Sequence, residues 1–156
     1  MVCTCKGDLF IEMKYFEFGK ENKELMVLLH GGGTSYLGVL PTAKKIAEKY
    51  HVVLLAYDGF NPSEPETEFQ SLAYEAGCLE DYIIENYSGK VDILYGLSYG
   101  CRTLMQVLED NRLRITTTIA DGAEVACRAH PRGDLLHKRV LRLLYRRRSE
   151  SAVESV

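Results

Sequence analysis

A serine with glycines two residues to either side, Gly96-Leu97-Ser98-Tyr99-Gly100, is the part of this chain best equipped for chemistry. It follows directly on the apolar run Val91-Asp92-Ile93-Leu94-Tyr95 and leads into a helix-like stretch, Cys101–Glu109. Such a strand-to-helix turn, a nucleophile elbow, projects the serine hydroxyl above a sheet, and its strained backbone leaves no room for bulk two positions before and after. Gly96 and Gly100 meet that need. The chemistry would be attack of Ser98 on a carbonyl carbon, with the serine carrying the acyl group. A plain strand–helix connection or a phosphate loop is the competing reading. Against it, the stretch lacks the Gly-Lys-Ser/Thr ending of a P-loop and the glycine spacing of a dinucleotide fingerprint.

A second motif lies upstream, where Leu25-Met26-Val27-Leu28-Leu29 runs into His30-Gly31-Gly32-Gly33. A continuous apolar run of this length suits a strand buried on both faces of a parallel sheet. Glycines just past its end let backbone N–H groups approach a ligand closely. In acyl transfer the negative charge develops on the carbonyl oxygen, and each donor aimed there lowers the barrier by about 3–4 kcal/mol. With both motifs in this order, the chain resembles the α/β-hydrolase family over roughly residues 9 to 121. The resemblance implies Ser98 as the nucleophile. It also implies an oxyanion hole of the Tyr99 N–H with that of Gly32, or less favourably Gly33, and a structural role for His30 in holding the glycine loop. His51, at the head of the next strand, is expected to be a surface residue.

These motifs need a scaffold, and the order of elements supplies one. Leu9 to Phe18 alternates apolar with charged residues, as an exposed antiparallel edge strand does. After the glycine loop, Leu40, Ala43, Ile46, Ala47 and Tyr50 recur at helical spacing, with Pro41 suited to a first turn. A strand at Val52–Tyr57 follows, then a turn-rich loop from Asp58 to Pro65. Thr67-Glu68-Phe69-Gln70 has the form of a capping box, predicting a helix that presents Phe69, Leu72, Ala73, Ala76, Leu79, Ile83 and Tyr87 on one face. The elbow, its helix and a strand at Arg114–Ala120 complete an alternation of strands and helices. That alternation predicts an α/β fold with a mainly parallel sheet and helices on both faces. Sites in such sheets gather beyond the carboxyl ends of the strands, at His30–Gly33, Asp58–Asn61, Ser98–Tyr99 and Asp121–Gly122.

The family places its acid and its histidine after the nucleophile, the histidine past the last strand. Asp121, directly after the strand at Arg114–Ala120, stands where some members put the acid. His130 and His137 are the downstream histidines, and neither follows a recognisable final strand. With 58 residues after Ser98, the C-terminal half of a hydrolase domain is expected to be missing. Residues 1–122 are then a partial α/β-hydrolase domain and residues 123–156 an atypical basic tail. Residues 1–127 carry 11 Lys and Arg against 19 Asp and Glu, whereas residues 128–148 carry 8 against Asp134 alone. The tail reads either as a basic amphipathic surface helix for anionic lipid or nucleic acid, or, the favoured reading, as the product of a truncation or frame shift near residue 123.

Composition agrees with one domain, at 156 residues and 46% apolar content. The apolar runs are strand-sized, so neither a signal peptide nor a membrane span is expected, and a cytoplasmic location follows. Five scattered cysteines, Cys3, Cys5, Cys78, Cys101 and Cys127, read as free thiols. The expected partner is a small-molecule acyl substrate, with no nucleic acid, cofactor or metal, and with the oligomeric state open. Two functions compete: a serine hydrolase of esters, thioesters or related acyl bonds, and a non-catalytic remnant acting as a binding module.

Overall fold

The structure, a computed structural model, describes residues 13–122. The expected start of the edge strand (residues 9–12), the basic tail, His130 and His137 lie outside the described residues. Five strands are present: β1 (Lys14–Phe18), β2 (Leu25–Leu29), β3 (His51–Ala56), β4 (Lys90–Leu97) and β5 (Arg114–Asp121). Three α-helices, α1 (Leu40–Ile46), α2 (Leu72–Tyr87) and α3 (Gly100–Asp110), and a short 3₁₀ helix at Tyr36–Gly38 lie between them. The sheet order is β1-β3-β2-β4-β5, with β1 antiparallel to β3 and every other pairing parallel.

The central strands β2 and β3 are buried on both faces, which is why their apolar runs are unbroken. Alternate residues then serve two cores. Val27, Leu29, Val53, Leu55 and Leu94 pack with Leu79 and Ile83 of α2 and Leu104 and Val107 of α3. Met26, Leu28, Val52 and Leu54 pack on the other face with Tyr36, Ala43 and Ala47, around α1. Buried apolar side chains of this size are worth roughly 1.5–3 kcal/mol each, so the two layers fix the register of the strands.

Two expectations need correction. Helix α2 starts at Leu72, not near Phe69, and its cap is Ser71, whose Oγ accepts the Tyr74 N–H at 3.1 Å. Thr67 cannot cap because its hydroxyl serves the preceding loop, accepting the Gly59 N–H and donating to the Glu64 carbonyl, both at 2.9 Å. His51 is not a free surface residue either. Its Nε2 lies 2.9 Å from Glu17 Oε2, and the same carboxylate accepts the hydroxyls of Tyr82 at 2.8 Å and Tyr87 at 2.7 Å. Lys20 adds an ion pair at 3.1 Å, and Tyr15 stacks on Tyr82. Burial alone would raise the Glu17 pKa, but together the hydrogen bonds from Tyr87, Tyr82, His51 and Lys20 hold it down at about 2. This hub ties the edge strand β1 to α2.

The chain reverses its direction of travel across the sheet after β3, because β4 returns to the far side of β2. The carboxyl ends of β2 and β4 therefore meet at the topological switch point, where crevices form in open α/β sheets.

Candidate active site

Ser98 sits between β4 and α3 with φ +49°, a left-handed conformation that a side-chain-bearing residue adopts only under constraint. Its hydroxyl side is exposed, as an elbow requires. The flanking glycines are explained by contact. A Cβ on Gly96 would lie 2.7 Å from the Gly100 carbonyl oxygen, and one on Gly100 would lie 2.3 Å from the Leu29 carbonyl oxygen and 2.9 Å from that of His30. Both obstacles are backbone. The Ser98 N–H donates to the Asp121 carbonyl at 2.7 Å, and the Cys101 N–H to the Ser98 carbonyl at 3.0 Å, which pins the turn from both sides.

The glycine loop packs against this elbow. A Cβ on Gly31 would make only ordinary contact with the Ser98 Cβ at 3.6 Å, whereas one on Gly32 would press on the Tyr99 Cβ at 3.1 Å, so it is Gly32 whose small size favours the close approach of loop and elbow. Gly33 has open space around it but φ +71°, and is glycine for its backbone conformation. Among the described residues, the N–H groups of Gly32, Gly33 and Tyr99 make no hydrogen bond. Unspent donors at a loop and a helix start can serve an oxyanion.

His30 is buried beneath the loop. Its Nδ1 lies 2.9 Å from the Gly31 carbonyl and its Nε2 3.5 Å from the Tyr57 N–H, an arrangement that suits the neutral Nδ1–H tautomer donating at one end and accepting at the other. Burial lowers its pKa, outweighing the Gly31 bond. With both nitrogens engaged, His30 holds the loop and is not placed to take a proton from Ser98.

Asp121 ends β5 in register with Leu97, so its backbone adjoins the elbow. Its carboxylate accepts the Tyr95 hydroxyl at 2.7 Å. Neither described histidine contacts it. Cys101 is buried and donates its thiol to the Gly96 carbonyl at 3.0 Å; burial pushes its pKa up, making it a poor nucleophile. Cys78 is likewise buried and forms no disulfide among the described residues.

Three features near the site carry weaker sequence signals. Tyr99 packs edge-on to Phe69 and Tyr57, with ring centroids 6.1 and 6.3 Å away, and Phe69 in turn meets Phe60. Arg102 lies over the Tyr99 ring, 5.7 Å from its centroid; its three-residue spacing from Tyr99 on a helix was the available clue. Glu75, in the first turn of α2, is fully buried, and neither of its carboxylate oxygens has a hydrogen-bond partner of good geometry among the described residues. Burial, joined by the Asp58 charge, pushes its pKa up to about 8 against the weaker pull of the nearby Asp58 and Gln70 backbone. Its place between Leu72 and Leu79, within the apolar register, was the signal. Asp58 is also buried, and its pKa is raised by that burial and by Glu64.

No family model matches the chain. Solved structures do. An α/β-hydrolase-family protein from Desulfitobacterium hafniense aligns at 20% identity and TM-score 0.64, over 70% of this chain and 44% of its own. A thermophilic esterase from Thermogutta terrifontis aligns at 18% identity and TM-score 0.63, over 76% and 43%. An esterase from a marine microorganism aligns at 19% identity and TM-score 0.61, over 86% and 51%. The chain therefore has the α/β-hydrolase fold in part, and spans about half or less of the structures it matches. Among the described residues no helix is long and apolar enough to cross a membrane.

Proposed function

We propose that the chain is a serine hydrolase of carboxylic esters, thioesters or related acyl bonds that works through an acyl-enzyme on Ser98. The observation that carries this reading is the juxtaposition at the switch point: an exposed serine at positive φ, facing a glycine loop whose N–H groups are unspent. Ser98 Oγ attacks the carbonyl carbon and loses its proton to a base. The resulting oxyanion takes hydrogen bonds from Tyr99 N–H and Gly32 N–H, with Gly33 N–H as the less favoured donor. Collapse expels the alcohol or thiol, which takes the proton, and water then releases the acid from the serine by the same steps. Asp121 is the candidate acid of this reading; should the chain turn over esters at ordinary enzyme rates, His130 or His137 would have to be the base.

The test is labelling with an organophosphonate ester followed by mass spectrometry. Modification at Ser98 alone, lost in Ser98→Ala, is the expected result. Labels spread over several serines, or centred on Ser35 or Ser63, would sink the assignment.

A second reading, a non-catalytic binding module, is favoured by one observation. Both described histidines are committed elsewhere, His30 to the loop and His51 to Glu17. Without a base the serine is a poor nucleophile, and loss of a triad member leaves only ~10³–10⁴-fold acceleration over water. Turnover of short-chain p-nitrophenyl esters at ordinary enzyme rates would exclude this reading.

A further inference from the structure

We propose that Arg102 gives the Ser98 site a preference for acyl compounds that carry a carboxylate a few bonds from the scissile carbonyl; the acyl part of this inference rests on the serine-hydrolase reading. Three arginines lie among the described residues. Arg112 is committed to Glu80 and Asp81, and Arg114 donates to the Ser88 carbonyl. Arg102 has neither ion pair nor side-chain hydrogen bond among the described residues, and it lies over the Tyr99 ring. Within one turn of it on α3 there is no counter-charge, its neighbours there being Tyr99, Met105 and Gln106. It is also exposed.

Position gives the free cation its meaning. Tyr99 is the residue after the nucleophile, its ring side packs on Gly32 of the oxyanion loop, and Arg102 stands one helical turn further along α3. A guanidinium drawn toward an aromatic face by cation–π attraction keeps its N–H groups available for the two oxygens of a carboxylate. Phe69 and Tyr57 brace that ring edge-on, so the platform is itself held in place. The surroundings sharpen the contrast. Residues 13–122 carry 10 Lys and Arg against 16 Asp and Glu, so the field of the domain as a whole repels anions and a site that favours them needs a local cation.

Binding of two non-hydrolysable probes of matched size, glutaramate (one carboxylate) and glutaramide (neutral), to the full chain tests the subsite. Nuclear magnetic resonance titration would follow the Tyr99 amide and the Arg102 Nε–H. An exposed charge pair predicts that glutaramate binds about 1.5-fold to fivefold tighter than glutaramide. That ratio should narrow as salt rises from about 20 mM to about 300 mM. Arg102→Gln should bring the two affinities together, while Arg102→Lys, which keeps the charge and loses the planar fork, should retain part of the ratio. Equal affinities in the wild type, no response at Tyr99 with either probe, or a ratio that survives Arg102→Gln would each overturn the proposal. Organophosphonate labelling of the same samples judges the other reading separately. Labelling of Ser98 without a carboxylate preference removes only the subsite, whereas a preserved preference without labelling removes the catalytic reading and leaves an anion-binding site.

Discussion

Replacing Gly100 by alanine adds one methyl group, and the structure says where it would land. The new Cβ would lie 2.3 Å from the Leu29 carbonyl oxygen, 2.8 Å from the Leu29 carbonyl carbon and 2.9 Å from the His30 carbonyl oxygen. Carbon and oxygen need more than 3 Å, and no side chain is available to swing aside, so relief requires α3 to lift off β2. Overpacking where side chains can adjust costs typically 1–3 kcal/mol; backbone against backbone belongs at or above the top of that range. We expect a loss of about 3 kcal/mol or more. At a urea dependence of roughly 1–3 kcal/mol/M, the unfolding midpoint falls by ~1–3 M. Because the obstructing atoms include the carbonyl at the root of the glycine loop, labelling of Ser98 should also slow by about tenfold or more, as a misplaced oxyanion donor would require. Gly77, inside α2, is the internal control. A Cβ there meets nothing within 4 Å, so Gly77→Ala should stabilise by up to ~1 kcal/mol through helix propensity. Urea titration by circular dichroism, with probe labelling on the same samples, measures both. A Gly100→Ala midpoint within error of the wild type, with unchanged labelling, would refute the close packing of elbow, β2 and loop.

Glu75, its pKa raised to about 8, holds its proton in the folded state where the unfolded chain has lost it, so stability should fall as pH rises from about 4.5 to about 8 and then level off. Glu75→Gln should remove much of that slope and be more stable than the wild type at pH 8, by an amount on the order of a few kcal/mol; parallel stability curves would show the carboxyl to be ionised. Glu17 has the opposite sign: its pKa near 2 means stability present above about 4.5 and lost as pH falls toward 2. Glu17→Gln should therefore cost about 1–3 kcal/mol at pH 7, with the gap closing on acidification; a gap independent of pH would count against the hub. If Asp121 orients the base, Asp121→Ala should slow Ser98 labelling by about 10²-fold or more while shifting stability by under ~0.5 kcal/mol, since its side chain is exposed. An unchanged labelling rate would remove Asp121 from the reaction.

The elbow and the glycine loop were legible because both are local: steric exclusion at Gly96 and Gly100 writes itself into five consecutive residues. The central strands were legible for a related reason. Burial on both faces forces unbroken apolar runs at Leu25–Leu29 and Val52–Ala56, and partial exposure forces the mixed pattern of β1. What stayed hidden depends on partners distant in sequence. The start of α2 turns on which hydroxyl the loop has already consumed, Thr67 or Ser71. The role of His51 depends on Glu17, and that of Glu17 on Tyr82 and Tyr87, contacts that carry no sequence period. Arg102 differs from the other described arginines by its surroundings, the Tyr99 ring beneath it in place of the partners that hold Arg112 and Arg114.

The order of strands also sets when the site can exist. Met26 of β2 pairs with Val52 on one side and with Ile93 on the other, and it is the second, more distant pairing that brings the glycine loop to Ser98. A chain emerging during synthesis can join β2 to β3 while the serine is still unmade. Closure of the β2–β4 seam must wait for α2 and β4, and loop-closure entropy makes it the slower contact to form. On the serine-hydrolase reading, reactivity at Ser98 would act as a clock on folding, switching on when the β2–β4 seam closes and absent from any earlier collapsed form.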